Sequence, residues 1–421
     1  MNEICLLSDA FPPIIDGVVN VVTNYGRILA KDGYRVCTAV PEYAGADDSV
    51  YSYPVIRYPS LDFRKTIGYT VGNPFDIPTL HDISRRKISV LHSHCPFASM
   101  YLGRSLRAKL NAPLILTYHT KYDLDIANAV KMKLLQDGAI YALVENVNAC
   151  DELWTVSRGA GESIQSLGYE GDFVVMQNGV DLPKKRTDEK TVQAVTGGLG
   201  LPAGIPVFLF VGRLMWYKGI RIILDAVSVL KAHGEDFRMV FVGSGTDEKE
   251  IREYAEANRL LDKVLFAGSV RDRESLAAWY TRADLFVFPS TFDTNGLVVR
   301  EAAACSLGSV LVQGSCAAED VTENVNAFLI EENAESLAAC LIKAMAHPES
   351  MKRIGENASG DLYLSWDDAV KNAEERYQVV NDLYRSGKLP QTQKHGRGIF
   401  ALSKELLDTY DKAEAFLRRL R

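Results

Sequence analysis

No two of the seven cysteines in this 421-residue chain form a C-x-x-C pair. An odd, scattered set (Cys5, Cys37, Cys95, Cys150, Cys305, Cys316, Cys340) is the pattern of reduced thiols in a core, not of a disulfide scaffold or a zinc ribbon. Long apolar runs are missing too: no stretch approaches the roughly 18 apolar residues that span a bilayer. The apolar run in MNEICLLSDAFPP is too short and too acidic for a secretory signal. Positive charge is not in excess; the formal charge of −7 is the opposite of a nucleic-acid binder's basic balance. These absences lead to the expectation of a cytoplasmic protein, at most peripheral at the inner face of the cell membrane, with no nucleic-acid partner.

A composition of 47% hydrophobic and 24% charged residues is that of a globular protein, and the length suits two domains that each bury a core. The charge is unevenly spread. Residues 57–135 hold 12 Lys/Arg against 5 Asp/Glu. That excess is either a solvated surface balanced elsewhere or a face turned to an anionic membrane or acidic acceptor.

Short apolar runs alternate with helical periodicity. EICLLSD (3–9) reads as a buried strand, 18–33 as a helix ending at a glycine, and YRVCTAV as the next strand, which is a βαβ unit with a parallel sheet. ISVLHSH, APLILTYHT, ELWTVS and DFVVMQNGVD continue the series. A charged, then Gly/Pro-rich stretch (183–204) reads as a domain boundary. The rhythm then restarts with IPVFLFVG, FRMVFVG, KVLFAG, DLFVFPS and SVLVQG, helices between them, and the last 70 or so residues are helical. The predicted organisation is 1–185, 205–365 and a helical 366–421. In such sheets ligands bind at the carboxyl ends of strands, so the polar residues there are the candidates for function.

FVGRLMWYKG places Arg213 and Lys218 at a strand-to-helix turn, two cations that suit a phosphate or diphosphate, or else form an exposed basic loop. STFDTNGLVVREAAACSLGSV (290–310) starts a helix near Gly296, with Asp293 before it and Glu301 inside it. The two acids are too far apart to share a proton. They suit hydroxyls on either side of a phosphate held by the helix N-terminus, as in a nucleotide sugar; the plainer alternative is a helix-capping Asp293 and a surface Glu301. Asp16-Gly17 opens a helix at the first strand's exit. His119 ends one strand, while His92 and His94 lie two apart near the end of another, a metal-like pair without the acids or cysteines to complete a site.

Together these stretches resemble the family 4 glycosyltransferases, retaining enzymes of the GT-B fold that include bacterial glycolipid glycosyltransferases. The likeness runs in order through Asp16-Gly17, HSHCPF, TYHTKYD, VSRGAGE, NGVD, VGRLMWYKG, VGSG, FAGSV, ADLFVFPS and GLVVREAAACSLGSV, over roughly residues 1–380. It implies an α/β fold of two Rossmann-like domains facing across a cleft, with the C-terminal helices packing back on the N-terminal domain. It also implies a donor site. Arg213 and Lys218 would bind the diphosphate, Glu301 the ribose and Asp293 the hexose. Gly296, Leu297 and Val298 would meet the phosphates through their backbone, with Gly17 contributing from the N-terminal domain. His119 would approach the donor sugar, and Val270 and Arg271 the base. Two positions depart from the family: Asp293 stands where Glu is usual, and Asn295 where an aromatic is usual, so both bear on the donor sugar.

The resemblance implies transfer of a hexose from a nucleotide sugar, UDP-hexose first, to an acceptor hydroxyl. No cofactor is obligatory; Mg²⁺ is compatible but not implied. The basic segment and the amphipathic 126–147 suit a lipid acceptor such as diacylglycerol or a glycolipid, while a soluble or envelope saccharide is the alternative. An epimerase, a phosphorylase or an inactive nucleotide-sugar sensor would need similar phosphate and hydroxyl sites.

Overall fold

Runs of four to six fully buried residues seed two parallel sheets, and because both faces of each strand are covered, the runs are continuous and do not alternate. The computed structural model describes residues 3–63, 70–122, 126, 132–202, 204–389 and 399–419. The chain divides into two units, one comprising Met1–Gln177 and Trp366–Arg421, the other Asn178–Ser365.

In the first unit the strands are β1 (Glu3–Leu7), β2 (Val36–Pro41), β3 (Val55–Tyr58), the short antiparallel pair β4 (Ser60–Asp62) and β5 (Thr70–Gly72), then β6 (Ile88–Ser93), β7 (Leu114–Tyr118), β8 (Glu152–Thr155) and β9 (Phe173–Val175). The main sheet runs β3-β2-β1-β6-β7-β8-β9, all parallel. The helix Gly17–Lys31 joins β1 to β2; the Asp16 carboxylate caps it by accepting from the Val18 amide at 2.6 Å. The C-terminal helices belong to this unit, as the resemblance implied. Trp366–Arg385 buries Trp366, Ala369, Val370, Ala373, Tyr377 and Val380 at helical spacing. Arg376 grips both oxygens of Glu152 at 2.9 and 2.5 Å. Ile399–Arg419 packs on the helices Ile77–Ser84 and Ala98–Leu110, with Phe400 stacked on Tyr101 and Leu407 fully buried.

The second unit holds β10 (Val207–Val211), β11 (Arg238–Val242), β12 (Val264–Gly268), β13 (Leu285–Phe288), β14 (Ser309–Val312) and β15 (Phe328–Ile330), again all parallel, in the order β12-β11-β10-β13-β14-β15. The chain builds outward from β10 in one direction, then restarts on its other side at β13. The strand order therefore reverses between β10 and β13, and in an open parallel sheet that is where a ligand crevice forms.

Two expectations change. The domain boundary expected at 183–204 lies earlier, between Gln177 and Asn178: the stretch belongs to the second unit and contains the helix Glu189–Thr196, capped by Asp188, which accepts from the Thr191 amide at 3.0 Å. Its charged composition is that of an exposed helix face, with Thr196 buried on the other side. The predicted strand 172–181 contracts to Phe173–Val175, followed by an isolated bridge from Val180 to Ser365. Residues 64–69 of the basic stretch, Asp123 of TYHTKYD, 127–131 of the predicted amphipathic helix, and 390–397 of the polar stretch 388–397, expected as a loop before a final helix, lie outside the described residues.

Candidate functional site

The exits of β10 and β13 touch. After β10 the chain passes Arg213 into a single 3-10 turn, Trp216–Lys218, and then Gly219, which takes a left-handed φ of 75°. A Cβ on Gly219 would lie 2.2 Å from the Pro289 carbonyl oxygen at the end of β13, so only glycine lets the two loops approach this closely. That approach carries Lys218 to the β13 loop. Its Nζ sits 2.5 Å from Asp293 Oδ1, and the other Asp293 oxygen accepts from Ser290 Oγ at 2.6 Å. The ammonium is 9% exposed in its side chain and lies beside the Tyr217 and Phe292 rings, 5.4 and 5.9 Å from their centroids. Asp293 is thus neither a helix cap nor a free acid. It is the counter-ion of a buried lysine.

Three residues on, Gly296 is the N-cap of helix Leu297–Ala304, with φ 58°. No side chain caps this helix; the Val299 amide donates to the Gly296 carbonyl at 2.8 Å, which leaves the amides of Leu297 and Val298 for another partner. Gly296 packs against Ala317, whose Cβ would be 2.9 Å from an added Cβ. Asn295, just before it, has both side-chain amide atoms closed off from solvent and unpaired, as is the hydroxyl of Ser315 at the exit of β14. Arg213 is exposed; its carbonyl accepts from the Met215 amide at 2.9 Å, while its guanidinium makes no hydrogen bond or ion pair to the described residues.

Glu301 points into the unit and not to the surface. It is 9% exposed; Oε2 accepts from the Tyr280 hydroxyl at 3.0 Å and Oε1 from Arg273 at 3.2 Å, while Arg273 also reaches Asp181 at 2.6 Å. Burial raises the Glu301 carboxyl above the usual range; Arg273 and Tyr280 pull the other way. Arg273 and Tyr280 escaped the sequence reading, although their seven-residue spacing on one helix places them on one face. Val270 and Arg271 follow β12 and line a cavity of about 570 Å³ with Phe266, Trp279, Val195 and Leu199. None of Arg213, Lys218, Asp293 and Glu301 lines it. The structure therefore joins Lys218 with Asp293, at the loop that leads into an uncapped helix.

In the first unit the candidate residues gather at the same edge of the sheet. Gly17 begins its helix, and a Cβ there would meet nothing within 4 Å. Asp9, at the exit of β1, accepts from the Ser99 amide at 2.6 Å and so caps the helix Ala98–Leu110, whose own N-cap, Phe97, cannot. Burial pushes the Asp9 carboxyl up to about 6. His92 and His94 do share a face, their ring centroids 4.1 Å apart, and β7 lies beside β6, which brings in His119. His119 Nε2 is 3.2 Å from His94 Nδ1, and burial takes the His119 imidazole down to about 3. Among the described residues no three His, Cys, Asp or Glu side chains are grouped so as to hold a metal ion.

Two Rossmann-like parallel sheets of this kind are the architecture of the GT-B fold. Sucrose-phosphate synthase of Thermosynechococcus elongatus shares the fold, with a TM-score of 0.72 at 20% identity over 92% of this chain and 100% of that one. So does Anabaena Alr3699/HepE, solved in complex with UDP, with a TM-score of 0.70 at 17% identity over 90% of this chain and 100% of that one. The model described as Glycosyltransferase Family 4 matches residues 15–184 and that described as Glycosyl transferases group 1 matches 197–361. The chain belongs to the family 4 glycosyltransferases. Among its relatives is the alpha-monoglucosyldiacylglycerol synthase of Acholeplasma laidlawii, 25% identical over 368 residues, 85% of this chain and 91% of that protein. The synthase of that name from Streptococcus pneumoniae is 24% identical over 309 residues, 72% of this chain and 69% of that one.

Proposed function

We propose that this glycosyltransferase moves a hexose from a UDP-sugar, with retention of configuration, to a hydroxyl of a membrane lipid such as diacylglycerol or a glycolipid. The observation that carries the reading is Lys218 held by Asp293 at the β10–β13 switch point, in the loop that leads into an uncapped helix N-terminus. A sugar–phosphate bond breaks with negative charge growing on the departing diphosphate. An ammonium with two protons still to donate, the Arg213 guanidinium and the amides of Leu297 and Val298 stabilise that charge more in the transition state than in the bound donor. Retention puts the acceptor on the face the diphosphate leaves, and a phosphate oxygen of the donor takes the acceptor's proton. Glu301 receives the ribose hydroxyls on lone pairs beside those used by Arg273 and Tyr280; a carboxylate has about four such sites. Val270 and Arg271 meet the base, Gly17 the phosphates, and His119 hydrogen-bonds the donor sugar.

For the sugar, Asp293 departs from the family and is occupied by Lys218 and Ser290. The unpaired amide of Asn295 is then the group with capacity to read a hydroxyl.

The lipid acceptor is supported by the names of the two synthase relatives and by the surface of the first unit. Met132, Leu134 and Leu135, at the start of helix Lys133–Asn148, are 62, 77 and 56% exposed. Exposed apolar side chains at one helix end, within a net-basic segment, suit an anionic bilayer surface. No described helix is long and apolar enough to cross a membrane. The test is a screen of labelled nucleotide sugars against diacylglycerol or glycolipid in vesicles and against soluble saccharides. Labelled glycolipid supports the reading; transfer to soluble saccharides alone contradicts the lipid acceptor, and epimerised sugar or free sugar phosphate contradicts transfer.

A further inference from the structure

We propose that His94 is a positioning residue: its Nδ1–H donates to His119 Nε2 and fixes His119 in the tautomer that carries its proton on Nδ1. The inference rests on the role given above to His119 and concerns how that side chain is held.

The geometry comes from the sheet. β6 and β7 are neighbours in register, Ser93 beside Leu116, so the residues leaving their carboxyl ends emerge together. The His94 and His119 rings lie nearly parallel, 17° apart with centroids at 5.4 Å, and the two nitrogens meet at 3.2 Å. His92 packs against His94, and both its ring nitrogens are already engaged, Nδ1 with the Tyr377 hydroxyl at 2.5 Å and Nε2 with Thr117 Oγ1 at 2.7 Å. The Tyr25 ring meets His94 edge-on with centroids 5.2 Å apart, and the His94 amide donates to the Leu7 carbonyl at 2.8 Å. His94 is fully buried, and so has little freedom to turn.

Burial keeps both imidazoles neutral, so each carries one N–H and only one proton lies in the shared bond. If His119 donated, the His94 proton would sit on its own Nε2. That atom is closed off from solvent and has no hydrogen-bond partner, which would leave an orphaned buried N–H. If His94 donates from Nδ1, its Nε2 is a bare lone pair, and its ring strands no donor. The second arrangement leaves fewer unmet donors. It makes His119 a hydrogen-bond donor through Nδ1–H, and it takes the Nε2 lone pair out of use as a base.

The experiment uses the full chain with ¹⁵N-labelled histidine, wild type and with His94→Asn or His94→Leu. Asn retains a donor near the Nδ1 position; Leu does not. In long-range ¹H–¹⁵N spectra, wild-type His119 should show a protonated Nδ1 and a bare Nε2. His94→Asn should keep that pattern and His94→Leu should lose it. In the sugar-transfer assay His94→Leu should lower kcat on the order of 10²-fold, the scale of a misplaced reacting group, with donor KM nearly unchanged. His94→Asn should recover most of the loss. A protonated Nε2 on wild-type His119 overturns the proposal whether or not the variants fold, and so does an unchanged His119 pattern in His94→Leu. An undiminished kcat in His119→Ala would instead remove the role of His119 and leave the tautomer result standing.

Discussion

Lys218→Met separates what the lysine does for the fold from what it does for the reaction. In the fold it pairs with Asp293 in a setting where the two side chains are 9% and 23% exposed. Breaking a fully buried pair costs about 3–5 kcal/mol. Asp293 keeps its Ser290 hydroxyl and some solvent, so a loss of about 1–2 kcal/mol is expected here. In the reaction, a unit charge about 4 Å from the departing diphosphate is worth about 4 kcal/mol at an effective dielectric of about 20. Losing one donor of an oxyanion site costs about 10²–10³ in kcat. Lys218→Met should therefore lower kcat by about 10²–10³, read as UDP release in the presence of acceptor vesicles, and lower the urea midpoint modestly. The double variant Lys218→Met/Asp293→Asn removes the stranded carboxylate. It should regain most of the stability and none of the rate. A single variant within about threefold of wild-type kcat, against the loss expected of an oxyanion donor, or a double variant that recovers kcat along with stability, would refute the assignment of Lys218 to the leaving group.

Gly219→Ala forces a Cβ to within 2.2 Å of the Pro289 carbonyl at a left-handed φ and should lower the unfolding free energy by about 2 kcal/mol or more. Gly17→Ala, where a Cβ meets nothing within 4 Å, should change stability by less than about 0.5 kcal/mol while raising donor KM. Asp9 has a carboxyl raised to about 6 by burial. An acid raised in the folded state supports stability below its ordinary value of 3.8 and loses that support as pH climbs through about 6. Asp9→Asn should thus match wild type in urea melts near pH 4 and exceed it at pH 7; a gap that narrows with rising pH would reverse the sign. Leu134→Ser/Leu135→Ser should weaken sedimentation with anionic vesicles and leave the urea midpoint in place, since both side chains are mostly exposed.

The strands that frame the site were legible as apolar runs: VFLFV, RMVFV and LFVF are buried along nearly their whole length and flanked by turn residues. Glu189–Thr196 was not, because a helix that buries only Thr196 looks like linker in composition. At the site, the spacing of Asp293 and Glu301 announced two separate roles. It could not announce that Lys218 and Asp293 pair, because that follows from β10 lying beside β13, a long-range fact that local pattern does not carry. The histidines divide the same way. Period-two alternation put His92 and His94 on one face, whereas the meeting of His94 with His119 depends on β6 pairing with β7. The cavity beside Val270 and Arg271 is built partly from the misread helix, through Ala194 and Val195, and so could not be anticipated from the β12 exit alone.

The central claim is that the diphosphate of the donor sits on the uncapped N-terminus of helix Leu297–Ala304, with Lys218 beside it. A UDP titration followed through the backbone amides of ¹⁵N-labelled protein tests it most directly. The account predicts saturable shifts led by the amides of Leu297 and Val298, much reduced in Lys218→Met. Saturable UDP binding that leaves those two amides unmoved would contradict it.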